Sequence, residues 1–129
     1  MKNKGIAFLL AFFLVNLFVS VHAQNQKEAK EDALAPPELA APIEGAKLNN
    51  FPRKTIFEWR HVEGASKYEI EVEYNDGKWN LLKKTITSVN SYTLDFIGKQ
   101  PGRWRVRAIS KASGKPGKSS EWRKFTYLR

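Results

Sequence analysis

Beyond Pro37, apolar and polar residues alternate with a period of two along several short stretches of the chain. The clearest alternation covers residues 55–59, 68–74, 104–108 and 124–127. Successive side chains of a β-strand point to opposite faces of a sheet, so this pattern predicts half-buried strands rather than helices. Turn-forming residues separate the stretches, at residues 63–64, 75–77, 100–102 and 113–117. Short strands separated in this way predict an all-β sandwich.

One stretch bears directly on function. In GRWRVRA, residues 102–108, arginines occupy every second position: Arg103, Arg105 and Arg107. They either form a basic surface for an anionic partner or lie on one face of a strand whose neighbour supplies acidic residues. The stretch 68–74 offers such residues, since its glutamates alternate with apolar residues in the same way.

The first residues have the organisation of a secretory signal peptide. Lys2 and Lys4 precede an apolar run at residues 6–21, which ends in the sequence VHA. We expect cleavage after Ala23. The alternative is an uncleaved anchor, for which the run is short, since a membrane span needs about 20 residues. The sequence therefore predicts an exported protein, periplasmic or extracellular, with a signal peptide (1–23), a polar linker (24–37) and one small domain (38–129).

Charge is distributed unevenly along a chain whose formal net charge is +9. Residues 36–76 contain five basic and eight acidic side chains, whereas residues 77–129 contain thirteen basic and two acidic ones. A basic half of this size favours association with anionic surfaces. Because export removes the chain from most nucleic acid, the charge favours an anionic glycan or cell-wall surface over DNA or RNA.

The order of the segments resembles that of a fibronectin type III-like domain from exported bacterial proteins. The resemblance is carried by PPELAAPIEGAKL, FEWRHVEGASKYEIEV, GRWRVRAIS and SSEWRKFTY, in that order. It implies a single seven-stranded immunoglobulin-like sandwich with Trp59 at the centre of its core. Trp104 stands where the family usually has a tyrosine, and its indole N–H could bond to the backbone in place of the tyrosine hydroxyl.

In that fold the third and sixth strands are antiparallel neighbours. If their apolar residues face the core, Glu69, Glu71 and Glu73 share the outward face with the three arginines. We therefore expect a cross-strand ladder of opposite charges, in which each pair contributes about 0.2–1 kcal/mol. On this interpretation the arginines are mostly paired within the domain.

Other residues remain as a candidate ligand or partner surface. The last strand, expected at residues 122–128, places Trp122 and Lys124 outward beside the arginines, and Trp79 lies on a neighbouring hairpin strand. The loop at residues 111–118 carries three lysines and no acid. Alternatively, the tryptophans cover an open edge of the core and the loop lysines are merely solvated. The candidate surface comprises Trp79, Arg105, Trp122, Lys124, Lys115 and Lys118.

Few residues suggest catalysis. After cleavage His61 is the one histidine, and the chain has no cysteine, which argues against a catalytic triad, thiol chemistry and a zinc site. Residues 75–77 (NDG) are typical of a type I′ hairpin turn and offer too few oxygen ligands for calcium. We therefore expect no metal or cofactor and no enzymatic activity. The sequence favours an exported binding or scaffold module, and the alternative is a glycan or cell-wall polymer binder.

Overall fold

The structure, a computed structural model, describes residues 33–129. The predicted signal peptide and most of the predicted linker lie outside this range. The described residues form eight strands: β1 (Leu39–Ala41), β2 (Ala46–Leu48), β3 (Lys54–Trp59), β4 (Ala65–Asn75), β5 (Trp79–Thr87), β6 (Ser91–Asp95), β7 (Pro101–Ser110) and β8 (Arg123–Tyr127). Within this part of the chain there is no helix with the length and apolar character needed to cross a membrane.

The strands form two sheets. The first has three strands in the order β1-β3-β6, and the second has five in the order β2-β8-β7-β4-β5. All neighbouring strands are antiparallel except β2 and β8, which are parallel. The inner faces of both sheets contribute to one core. The predicted all-β sandwich, including the pairing of β4 with β7 and of β7 with β8, is confirmed.

The strand count differs from the expected seven because the first strand is divided between the sheets. β1 pairs with β3 in the three-stranded sheet, whereas β2 pairs with β8 in the other. Pro42 lies in the connection and has no N–H to donate to a sheet ladder. Gly45, also in the connection, has a φ of 76°, a conformation that favours glycine. Residues 39–48 contain no period-two run, so the pattern could not reveal this division.

The core is built from aromatic side chains of both sheets. The ring centroid of Phe57 lies 5.1 Å from that of Trp104 and 5.8 Å from that of Phe125. Trp59 is 1% exposed, which agrees with its predicted central position. The expected backbone hydrogen bond of Trp104 is not formed, since its Nε1 has no partner. The reason is its surroundings: the indole faces inward between the rings of Phe57 and Trp59.

The hairpin between β4 and β5 is not the predicted type I′ turn. Asn75 pairs with Trp79, so the loop has three residues instead of two. A type I′ turn requires a positive φ at both central residues. In the loop only Gly77 meets this requirement, with a φ of 116°. The Oδ1 atom of Asn75 accepts a hydrogen bond from the Gly77 N–H at 2.9 Å and stabilises the longer loop.

Two residues that the sequence placed in the linker belong to the folded domain. Leu34 packs against the core, and its carbonyl accepts a hydrogen bond from the N–H of Lys118 at 3.3 Å. Pro37 is buried. The domain therefore begins before residue 38.

Candidate functional site

The arginines of β7 pair with the glutamates of β4. The strand register places each arginine directly opposite a glutamate. The resulting contacts are Arg103 Nε to Glu73 Oε1 at 2.7 Å, Arg105 Nη2 to Glu71 Oε1 at 3.2 Å and Arg107 Nε to Glu69 Oε1 at 2.8 Å. The predicted cross-strand ladder is confirmed. The arginines are therefore not a free basic surface.

Two tryptophans lie over the arginines on the solvent side of the five-stranded sheet, which we call the outer face. The guanidinium carbon of Arg103 lies 4.3 Å from the ring centroid of Trp79 and 4.3 Å from that of Trp122. The guanidinium carbon of Arg105 lies 4.2 Å from the centroid of Trp122. These four side chains form a continuous series, Trp79–Arg103–Trp122–Arg105, which we call the stack.

The stack explains where the two tryptophans point. Trp79 opens β5, on one side of the β4–β7 pair, and Trp122 directly precedes β8, on the other side. Neither ring belongs to the core or packs against it. The alternative in which the tryptophans cover an open edge of the core is therefore wrong. The last strand also begins one residue later than predicted, at Arg123.

The contacts in the stack are favourable, and an ion pair holds Arg103 in the position that they require. A guanidinium over an indole face contributes about 0.5–1 kcal/mol at an exposed site. The ion pair with Glu73 holds the Arg103 guanidinium in a position that lies over both indole rings. The outer face is therefore a pre-organised surface of planar groups whose charge is largely neutralised.

Exposed apolar side chains lie on the same face along β5. Leu81 is opposite Glu73 and Ile86 is opposite Glu69, so both point outward. Their exposed fractions are 56% and 54%. Their outward position was not predicted from the sequence, because a bulge between Val72 and Glu73 shifts the register of β5 and hides its alternation. The sequence feature that points to these exposed residues is the mixture of apolar residues and lysines in WNLLKKTIT.

The candidate lysines lie in two places. Lys124 is opposite Arg103 and exposed, and so belongs to the outer face beside the stack. Its backbone N–H donates to a carboxylate oxygen of Glu44 at 2.9 Å, a contact that the sequence did not indicate. Lys115 and Lys118 are exposed in the segment that runs beside the other end of β7. The structure therefore joins Trp79, Arg105, Trp122 and Lys124, but not the loop lysines.

The loop that carries these lysines is tied down through its backbone. The N–H of Ser110 donates to the carbonyl of Lys115 at 2.9 Å, and the N–H of Gly117 donates to the carbonyl of Ala108 at 2.7 Å. The lysine side chains therefore project from an ordered segment.

The described histidine, His61, is exposed and contacts a tyrosine. Its Nδ1 lies 3.1 Å from the hydroxyl of Tyr68, which also accepts a hydrogen bond from the N–H of Val62 at 3.0 Å. The contact anchors the loop after β3 to a buried residue of β4. Within residues 33–129, no group of three or more histidine, cysteine, aspartate or glutamate side chains could hold a metal ion.

Comparison with known proteins gives matches at the level of structure. No family model and no curated protein sequence matches the chain. An Fn3-like protein from Clostridium thermocellum is 19% identical, with a TM-score of 0.54 over 75% of this chain and 96% of its own. The fn3 domain of the human collagen alpha-1(XX) chain is 16% identical, with a TM-score of 0.54 over 74% of this chain and 86% of its own.

A larger protein contains a similar part. A β-1,2-glucanase from Parabacteroides distasonis is 21% identical over 75% of this chain, with a TM-score of 0.51, but the match covers 13% of the glucanase. Together with the two-sheet topology, these similarities show that the described domain has the fibronectin type III-like fold that the sequence resemblance implied.

Proposed function

We propose that the protein is an exported, non-catalytic β-sandwich module that binds a protein partner in the cell envelope or outside the cell. We assign the binding surface to the outer face, on the side of β5. The observation that carries the proposal is the position of the stack beside two exposed apolar side chains, Leu81 and Ile86. Export rests on the signal-peptide pattern of residues 1–23.

This surface has properties that favour protein binding. Tryptophan and arginine are enriched among the residues that dominate interface energies. The guanidinium of Arg103 is already held by Glu73 and by two indole rings, so binding would restrict it little further. Leu81 and Ile86 add apolar area that water otherwise contacts.

The non-catalytic role is supported by the use that the domain makes of His61. A serine-type triad needs a histidine that faces a nucleophile and is oriented by an acid. The hydroxyl that contacts His61 instead belongs to Tyr68 and is also bound by a backbone N–H. This arrangement supports a role in loop anchoring rather than in proton transfer.

Binding of an anionic glycan or cell-wall polymer is the second candidate function. The loop lysines Lys115 and Lys118 favour it, because they are exposed and have no carboxylate within ion-pair distance in the described domain. Such binding would be mainly electrostatic and sensitive to salt.

The region around Trp122 gives the glycan alternative less support. A sugar ring that stacked on Trp122 would compete with the guanidinium groups of Arg103 and Arg105. A cavity of about 330 Å³ beside this tryptophan is lined by three carboxylates and one guanidinium, that of Arg123, and this excess of negative charge disfavours an anionic polymer. These carboxylates belong to Glu38, Glu44 and Glu121.

Site-specific photo-crosslinking tests the assigned surface. The photoreactive residue p-benzoylphenylalanine is placed at Leu81 in the full chain, expressed in its native cells. The matched control is Ile56, which is 51% exposed on the outside of the three-stranded sheet. We expect a discrete protein adduct from position 81 that is absent from position 56. Equal labelling from both positions, or adducts with polysaccharide alone, would contradict the proposal.

The same cells test export. N-terminal sequencing of the protein outside the cytoplasm should begin at Gln24. A start at Met1 in a membrane fraction would support the uncleaved anchor instead.

A further inference from the structure

The five-stranded sheet ends in a long free edge. β5 pairs with β4 alone, and it is nine residues long. The other end strands of the two sheets are shorter: β1 and β2 have three residues each, and β6 has five. An end strand presents a row of unpaired N–H and C=O groups that can pair with another extended chain. β5 is therefore the longest such row in the described domain.

Lysines at the middle of β5 select the kind of chain that can pair there. Lys83 and Lys84 are adjacent, and the strand contains no acidic residue. Lys83 is exposed and forms no ion pair with a described residue, while Lys84 reaches Glu69 only at 4.0 Å. Two copies of β5 paired around their middles would bring these lysines together, and like charges on neighbouring strands are destabilising. Acidic residues on an added strand would instead be attracted.

Apolar residues flank the lysines at matched distances. Leu81 lies two positions before Lys83, and Ile86 lies two positions after Lys84. Both apolar side chains are on the outer face and more than half exposed. Because of the bulge opposite Val72 and Glu73, Lys84 shares the outer face with Leu81 and Ile86, whereas Lys83 is opposite Val72 and lies on the other face. An antiparallel segment with the order apolar, polar, acidic, acidic, apolar therefore places its apolar residues beside Ile86 and Leu81 and its acidic residues beside Lys84 and Lys83.

We propose that the free edge of β5 binds an extended peptide segment of a partner protein by strand addition. The segment has acidic residues at its centre and apolar residues on both sides of them. Backbone hydrogen bonds to β5 supply affinity, and the lysines together with Leu81 and Ile86 supply specificity. The inference rests on the proposed function, because it names the chemistry of the partner at the same side of the sheet.

A synthetic peptide, acetyl-TVTEEVT-amide, provides a direct probe, since its two valines are four positions apart and therefore lie on the same face of a strand. Amide hydrogen exchange is measured by NMR on the purified exported protein with and without the peptide. We expect slower exchange, by about tenfold or more, at alternate amides of residues 79–87, because only every second N–H of an edge strand points away from β4. A peptide N-methylated at alternate residues should not produce this protection, since methylation removes its donors.

Charge-reversed partners test the role of the lysines. Lys83→Glu should weaken binding of the peptide roughly fivefold, in line with one reversed cross-strand pair. Lys99→Glu makes the same change of net charge at an exposed position in the loop between β6 and β7, and it should weaken binding much less. The peptide acetyl-TVTKKVT-amide should bind more weakly than the acidic one.

The outcomes separate this inference from the proposed function. Protection outside residues 79–87, or undiminished binding of the N-methylated peptide, would overturn strand addition at β5. Equal effects of Lys83→Glu and Lys99→Glu would overturn the charge selection. If no peptide binds while position 81 still crosslinks one protein, the inference fails and the binding function stands. If position 81 crosslinks nothing, the proposed function itself fails.

Discussion

Among the arginines of β7, Arg103 is the one that the fold encloses most. Its side chain is 22% exposed, compared with 33% for Arg105 and 34% for Arg107. Both Nε and Nη2 of Arg103 reach the same carboxylate oxygen of Glu73, and indole rings lie over its guanidinium. A lysine ammonium keeps the charge but lacks both the plane and the fork of donors that these contacts use.

We therefore expect Arg103→Lys to be destabilising although it conserves charge. The free energy of unfolding should fall by about 1 kcal/mol, because the planar contacts with two rings are lost. Arg107→Lys is the matched control, since Arg107 pairs with a glutamate but does not take part in the stack. Its cost should be a few tenths of a kcal/mol. Urea unfolding measures both, and equal losses would show that stacking adds no stability.

At the scale of elements, the pairing of β4 with β7 links the sequence pattern to the outer face. Each strand buries one set of alternate residues and projects the other outward. Opposite charges on the two projecting rows favour this register over a slip of one residue, which would move the apolar residues of one strand to solvent. The ladder therefore contributes to the specificity of pairing as well as to solubility.

The contribution of one rung can be measured with a double-mutant cycle on Arg105 and Glu71. Arg105→Ala should lower the free energy of unfolding by a few tenths to about 1 kcal/mol, since the arginine is one-third exposed and solvent screens the pair. The part of this loss that comes from the ion pair should disappear when Glu71→Ala is already present, whereas the part that comes from the contact with Trp122 should remain. A coupling energy of zero in urea unfolding would contradict the internal pairing of the arginines.

The strands were predictable from the alternation within each stretch, and the ladder from that alternation together with the strand pairing that the family resemblance implied. Other features depend on contacts between distant residues and could not be predicted from the sequence. The division of the first strand requires knowing that β2 pairs with β8, and the outward position of Leu81 depends on a bulge opposite β4. The stack joins residues from three separate strand regions, so the sequence indicated Trp79 and Trp122 as candidates without showing what they contact.

At the scale of the whole molecule, the internal ion pairs determine which parts of the surface carry uncompensated positive charge. The three arginines of the ladder are compensated by three glutamates, so they contribute little to the field outside the sheet. The lysines of residues 111–118 lack such partners within the described domain. Long-range attraction of an anionic polymer should therefore centre on the loop rather than on the arginine strand.

Retention on an anionic resin distinguishes these two sources of charge. The paired substitution Lys115→Ala and Lys118→Ala should lower the salt concentration needed for elution, because both side chains are exposed and not compensated. Arg105→Ala removes one positive charge and leaves Glu71 without its partner, so it should also lower the salt concentration needed for elution. The decrease should be smaller than for the loop pair, which removes two positive charges. The matched control is Lys47→Ala with Lys54→Ala, which removes the same charge from two exposed positions elsewhere.

Retention should fade towards physiological salt, where the Debye length is about 8 Å. If Arg105→Ala alone lowers elution as far as the loop pair does, the arginines contribute to an anion-binding surface despite their pairing.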